Sequence, residues 1–307
     1  MVSLPEQVAA ARASALLVFE PELSAFGVTG EDRAKWLNGL VTCDVLKLAV
    51  DQAKYGLAVT QKGRIITDLY VLAEGERLLV VLPARLRDDV MAMLDKHLIM
   101  EDAELAKEDG VRVAFAHGPR AKELLLAARE RLGAASAACD PTGLGGALLL
   151  VRDSDEVGAA LAALAGELGG VVGDAQGWEA LRLERGVPRF GVDFDDKTYP
   201  QEAALEKRAV SFDKGCYLGQ EVVCMLELRG HVKRKLVPVV LEAQDGAEAG
   251  AAVLDAAGNE VGKLSSVGTS PTLSRRVGLA MVKLANAAPG TVLRVGGASA
   301  KVVERPA

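Results

Sequence analysis

Lys214-Gly-Cys-Tyr-Leu-Gly-Gln-Glu221 places one cysteine two residues after a cation and just ahead of an apolar run, Val222-Val-Cys-Met-Leu226, with the composition of a helix. Gln220 and Glu221 fall in the first turn of that run. Unpaired backbone N–H groups and the positive end of the helix dipole favour amide and acidic side chains there. The same positive end, together with the Lys214 ammonium, would stabilise a thiolate at Cys216. Gly215 and Gly219 open backbone conformations closed to other residues, so the loop can bend sharply or approach a ligand. On position and neighbours alone, Cys216 reads equally well as a small buried hydrophobe. Tyr217 and Gln220 either hydrogen-bond a ligand or order the loop. Cys224, inside the apolar run, reads as core.

Beyond the octapeptide comes the densest basic run, Arg229-Gly-His-Val-Lys-Arg-Lys235. It suits carboxylates or nucleic-acid phosphates, and as a bland alternative it is a solvated linker. After about Lys235 the texture changes: Val, Gly and Ala alternate with polar residues, and turns recur at Asp255–Asn259, Gly268–Pro271 and Ala288–Gly290. This pattern predicts a small antiparallel β-barrel or sandwich over 236–307.

Upstream, strand-like and helix-like segments alternate. Strands are predicted at 15–19, 25–28, 55–60, 65–72, 78–82, 111–116 and 147–151, and helices at 30–38, 84–97, 120–131, 155–168 and 176–185. Meandering strands with interleaved helices fit an antiparallel α+β, split-βαβ (ferredoxin-like) architecture over 1–235 better than a parallel sheet. The Gly/Ala/Ser-rich stretch 133–146 reads as a loop.

Two carboxylates stand out. Asp68 lies in Arg64-Ile-Ile-Thr-Asp-Leu-Tyr-Val71, a largely apolar strand where an unpaired charge is costly. Alternation sets it on the face of Ile66 and Tyr70, towards a cavity; the bland alternative faces solvent beside Lys62 or Arg64. Glu184 lies near the end of the 176–185 helix, which Gly186 terminates and Pro188 stops. Flanked by Arg182 and Arg185, it also fits a solvated helix face.

Composition sets the outer bounds. With 307 residues, half of them hydrophobic, the chain is long enough for two or three modules. A net charge of −6 argues against a protein that coats nucleic acid or membranes. The N-terminal residues lack a secretory pattern, and no apolar run approaches the ~20 residues that span a bilayer. The four cysteines show no C-x-x-C spacing, and with three scattered histidines a dedicated metal site is not expected. Reduced thiols in the cytoplasm are the simplest reading.

The octapeptide resembles the signature of the YgfZ family, relatives of the glycine-cleavage T-protein that bind folate and support iron–sulfur enzymes. The resemblance extends to Val28–Val45, similar to the opening segment of T-protein relatives, to Leu181–Asp193, similar to their folate-contacting segment, and to their closing barrel. It implies that Cys216 is the residue on which activity depends and that Glu184 takes the paired N–H donors of a pterin edge. It further implies that Asp68 sits by the reactive end of tetrahydrofolate or a one-carbon derivative, and that Arg229, within the family pattern, meets the carboxylates of its glutamate tail; Lys214, Tyr217 and Gln220 are further candidate ligand contacts from their place in the octapeptide. Implied partners are folate, iron–sulfur client or assembly proteins, and tRNA. A true aminomethyltransferase is the alternative that Asp68 favours and the cysteine octapeptide disfavours. A non-catalytic tRNA- or protein-binding module is a third, distinguished by failure to bind folate.

Overall fold

The computed structural model describes residues 2–230, 232–242 and 246–307, so His231 of the basic run lies outside the described residues. Helix α1 (Leu4–Ala13) starts where Pro5 fits a first turn and Glu6 accepts from the Ser3 amide and hydroxyl. There follow β1 (Leu16–Phe19), β2 (Leu23–Thr29), α2 (Arg33–Asn38), β3 (Ala53–Val59), β4 (Ile65–Glu74), β5 (Arg77–Pro83), α3 (Arg87–Asp95) and β6 (Glu104–Glu108). The first sheet has the order β3-β4-β5-β2-β6, with every neighbouring pair antiparallel. Strands β5 and β6, joined through α3, flank β2, which is the split-βαβ arrangement.

The second unit comprises β7 (Val111–His117), α4 (Ala121–Leu132), β8 (Ala135–Ala138), β9 (Gly146–Arg152), α5 (Asp155–Glu167) and β10 (Val171–Val172). Its sheet order is β10-β1-β7-β9-β8. Here α4 joins β7 to β8 across β9, and β1 is inserted beside β7, so the first strand of the chain belongs to the second sheet. Helix α4 stops at Gly133 in the left-handed conformation, and α5 starts where the Ser154 hydroxyl accepts from the Val157 amide.

Helices α6 (Ala175–Glu184), α7 (Glu206–Ala209) and α8 (Gln220–Arg229) belong to the connection that follows. Strands β11 (Arg234–Leu241), β12 (Ala252–Leu254), β13 (Glu260–Ser270), β14 (Arg275–Lys283), β15 (Val292–Val295) and β16 (Ala298–Val302) then close an antiparallel barrel. The expected α+β architecture with a terminal β-barrel is the observed one. Stretch 133–146 differs from the expectation, because it contains β8. Ala-Ser-Ala-Ala has little strand propensity of its own; pairing with β9, and a bridge from Ala138 to Gln52, make it a strand.

The two sheets pack face to face through Ala25, Leu72 and Val81 on one side and Val113, Phe115 and Leu148 on the other. Their outer faces are covered by α2 and α3 on the first sheet and by α4 and α5 on the second. Helix α6 seats Leu183 against Leu236, Val277 and Leu279 of the barrel. Beside it a buried ion pair joins Arg182 to Asp193 at 2.8 Å, and Asp193 also accepts from the hydroxyls of Ser265 and Ser266. Such a fully partnered pair fixes the barrel's position more than it adds stability. These contacts leave two adjoining cavities between the sheets and the 187–213 connection.

Candidate functional site

The larger cavity, about 670 Å³, and the smaller, about 440 Å³, share Tyr70, Pro141, Val187 and Pro188 as a common wall. Their chemistry differs. The smaller is aromatic, with Phe115, Trp178 and Phe190, and carries the carboxylates Glu20, Glu22 and Asp68 among the arginines Arg85, Arg182 and Arg189, of which Arg85 lies over the Phe190 ring. The larger carries Arg208 and Arg305, neither of which makes an ion pair among the described residues. Loop 140–145 walls it on one side. Burial pushes the Asp140 carboxyl up, but the amides of Gly145 and Gly143 and the Thr142 hydroxyl and amide outweigh that and hold it below its usual value.

Strand alternation turns Thr67 and Leu69 into the core under the first sheet and Asp68 and Tyr70 into the cavity. Tyr55 and Tyr70 are cross-strand partners with ring centroids 5.0 Å apart. The Tyr55 hydroxyl donates to Asp68 Oδ2 at 3.0 Å. Burial raises the Asp68 carboxyl to about 6, with the Tyr55 hydrogen bond opposing the shift. At neutral pH the carboxyl is therefore ionised, held by a phenol, and basic enough to accept a proton from a ligand. Glu22 pairs with Arg189 at 2.7 Å. Glu20 has no side-chain partner among the described residues, and burial raises it to about 7, with Arg189 opposing and Glu22 adding.

The other residues singled out in the sequence lie outside both cavities. Glu184 is fully buried, and four donors saturate its carboxylate: Arg12 Nη2 at 2.7 Å, Ser270 Oγ at 2.5 Å, and the Thr272 amide and hydroxyl at 3.0 and 2.9 Å. Those bonds overcome burial and keep its pKa low. The sequence expectation set a ligand edge on this carboxylate; its bonds here make it a joint between α1, α6 and the β13–β14 turn. Lys214 is likewise engaged inside the protein. Its Nζ donates to the backbone oxygens of Asn38, Val41 and Cys43 at 2.6, 2.8 and 2.7 Å, turned into the protein and not towards Cys216. Burial brings its pKa down to about 8.

Tyr217 is buried among Leu57, Val59 and Leu205, with the Lys214 ammonium 5.1 Å from its ring centroid. Gln220 opens α8, and Arg229 closes it on the surface. With Lys214 and Tyr217 turned inward, Cys216 between them is exposed, on a loop whose Ser211 and Asp213 reach the larger cavity. Cys43 and Cys139 line that cavity but are buried, and burial pushes their thiols up to about 11 and about 12.

Sequence reasoning missed Tyr55, Glu20, Arg208 and Arg305, and used Tyr70 only to set the face of Asp68. The two tyrosines left a signal, an aromatic residue at matching points of paired strands. Glu20 and the arginines left none, since their place depends on which distant segments meet.

The family model of the GCVT N-terminal domain matches residues 3–139, and that of the glycine cleavage T-protein C-terminal barrel domain matches residues 234–307. The chain belongs to the glycine-cleavage T-protein family. Within that family it is similar to the tRNA-modifying protein YgfZ of Yersinia pseudotuberculosis serotype O:1b, 30% identical over 220 residues, 68% of this chain and 66% of that one. The YgfZ of Yersinia enterocolitica is 29% identical over 219 residues. The match thus spans a little under two thirds of these relatives' own length. The T-protein fold extends over the whole chain: the glycine cleavage system aminomethyltransferase T of Bartonella henselae superposes with a TM-score of 0.83, covering 99% of this chain and 89% of that one at 22% identity. No helix among the described residues is long and apolar enough to cross a membrane.

Proposed function

We propose that this T-protein relative binds a reduced folate in the paired cavities and uses it, with Cys216, to support iron–sulfur enzymes, including those that modify tRNA. The observation that carries the reading is Asp68, ionised and held by Tyr55 on the wall of an aromatic cavity beside a second, arginine-bearing one. A folate is a flat heterocycle joined to a glutamate tail, so an aromatic lobe and a cationic lobe match its two ends. The similarity to YgfZ relatives that are tRNA-modifying proteins supports the tRNA branch of the reading. Cys216 is the exposed thiol among four free cysteines, which suits a partner-facing chemical role separate from ligand binding.

Calorimetric titration with tetrahydrofolate and its one-carbon derivatives tests the ligand: saturable binding at one site is expected, and no binding by any of them sinks the reading. Cys216 should be labelled by a thiol reagent before Cys43, Cys139 and Cys224. Cys216→Ala should leave folate affinity and melting temperature unchanged while abolishing support of iron–sulfur enzyme activity in a deletion strain. Full complementation by that variant removes Cys216 from the mechanism.

A further inference from the structure

The smaller cavity holds three carboxylates, and two of them are engaged: Glu22 by Arg189 at 2.7 Å, and Asp68 by the Tyr55 hydroxyl at 3.0 Å. Glu184, the carboxylate the sequence pointed to, lines neither cavity and has both oxygens occupied. Glu20, in the turn between β1 and β2, is left. Its backbone is fixed, the amide donating to Val113 O at 2.9 Å and the carbonyl accepting from the Leu23 amide at 3.1 Å, so the side chain projects from a rigid point. Its carboxyl is half-buried and makes no hydrogen bond or ion pair among the described residues. Taking a carboxylate out of water without a partner is unfavourable, and burial here raises its pKa to about 7. A group held at that cost in the wall of an aromatic cavity is matched by a ligand that brings the missing donors.

We infer that Glu20 is the residue that reads the ring edge of the ligand, accepting two adjacent N–H donors of an amino-substituted heterocycle such as the pterin of a reduced folate. The inference rests on the folate reading above. In this arrangement Phe115 and Trp178 offer apolar surface to the ring, Asp68 faces a different part of it, and Glu20 fixes its orientation through a bidentate, charge-assisted pair. Glu20 is a specificity-determining residue, because a ring lacking the exocyclic amine would leave the carboxylate half unpaired.

The test compares tetrahydrofolate with its analogue lacking the 2-amino group, by calorimetry, on wild type, Glu20→Gln, Glu20→Ala and Glu184→Gln. The wild type is expected to prefer the parent by tenfold or more. Both Glu20 variants are expected to lose at least tenfold for the parent and to treat the two ligands alike. Their melting temperature should equal or exceed that of wild type, since no internal bond is lost. Glu184→Gln is expected to melt earlier and to keep the preference. A wild type that binds neither ligand overturns the folate reading and this inference with it. A wild type that binds both ligands equally, or a Glu20→Gln protein that binds the parent as wild type does, overturns this inference alone.

Discussion

At Asp68 two effects oppose each other: burial against the aromatic wall pushes the carboxyl up to about 6, and the Tyr55 hydroxyl draws it down. An unfolded aspartate titrates near 3.9. Between those two values the folded protein holds a proton that the unfolded chain has lost, so this residue's contribution to stability is whole at lower pH and is lost as pH rises through about 6. Asp68→Asn keeps an oxygen for Tyr55 and removes the titration. It should raise stability by about 1–2 kcal/mol at pH 7.5, the solvent in the cavity reducing the full linkage figure, and by nothing at pH 3.5. Urea unfolding at both pH values measures this; equal effects at the two would show that the side chain acts through packing and not through its charge. The argument that found Asp68 was local, a carboxylate among isoleucines and leucine, and so was legible in the sequence. Glu184 and Lys214 were not legible in the same way. The donors to Glu184 come from Arg12, Ser270 and Thr272, and the acceptors of Lys214 from Asn38, Val41 and Cys43, all far away in the chain. No window of sequence around either residue contains its partners.

At the scale of elements, the cysteine loop is held by where α8 starts. Gly219 precedes α8 with φ +78°, and a Cβ there would lie 2.3 Å from the Thr60 carbonyl oxygen in the β3–β4 turn. A Cβ on the opposing Gly63, also left-handed at φ +71°, would lie 3.1 Å from the Val222 side chain of α8. The octapeptide's second glycine therefore serves a left-handed bend and a close approach to another backbone segment, where the sequence reading offered a sharp bend or approach to a ligand. Gly219→Ala meets both the left-handed strain and the clash, and should cost about 2–4 kcal/mol, more than a glycine-to-alanine change at an open turn. Because the displaced element carries the loop, Cys216 labelling should also change in rate. A variant that is as stable as wild type would mean that α8 can slide off the turn without consequence. Elements with strong internal signals, such as the capped α5 and the long alternating β4, were readable from sequence. The two-residue β10 and the alanine-rich β8 were not, since neighbouring strands define them.

For the whole molecule, the barrel helps to form the cavity wall instead of standing apart. After β16 the chain turns back: the Val303 amide donates to the Pro238 carbonyl, the Ala307 amide donates to the Glu184 carbonyl, and Arg185 donates to the Ala307 carbonyl. This return places Arg305 on the larger cavity opposite Arg208. Burial lowers the Arg208 pKa, and the positive Arg305 adds to that effect. Two unneutralised guanidinium groups facing one cavity repel each other when it is empty and attract a carboxylate tail when it is filled. Two changes separate these roles. A chain ending at Val303 keeps the bond to Pro238, loses the two made by Ala307 and should be destabilised by about 1–3 kcal/mol, the scale of two hydrogen bonds. Arg305→Gln loses only the charge, so its melting temperature should be unchanged or higher. That variant should bind tetrahydrofolate about tenfold more weakly, the scale of one charge-assisted hydrogen bond, while binding of a tail-less reduced pterin stays as in wild type. Calorimetry with the two ligands decides the matter: if Arg305→Gln weakens both equally, Arg305 acts on the ring lobe or on the fold, and the tail does not run along the arginines.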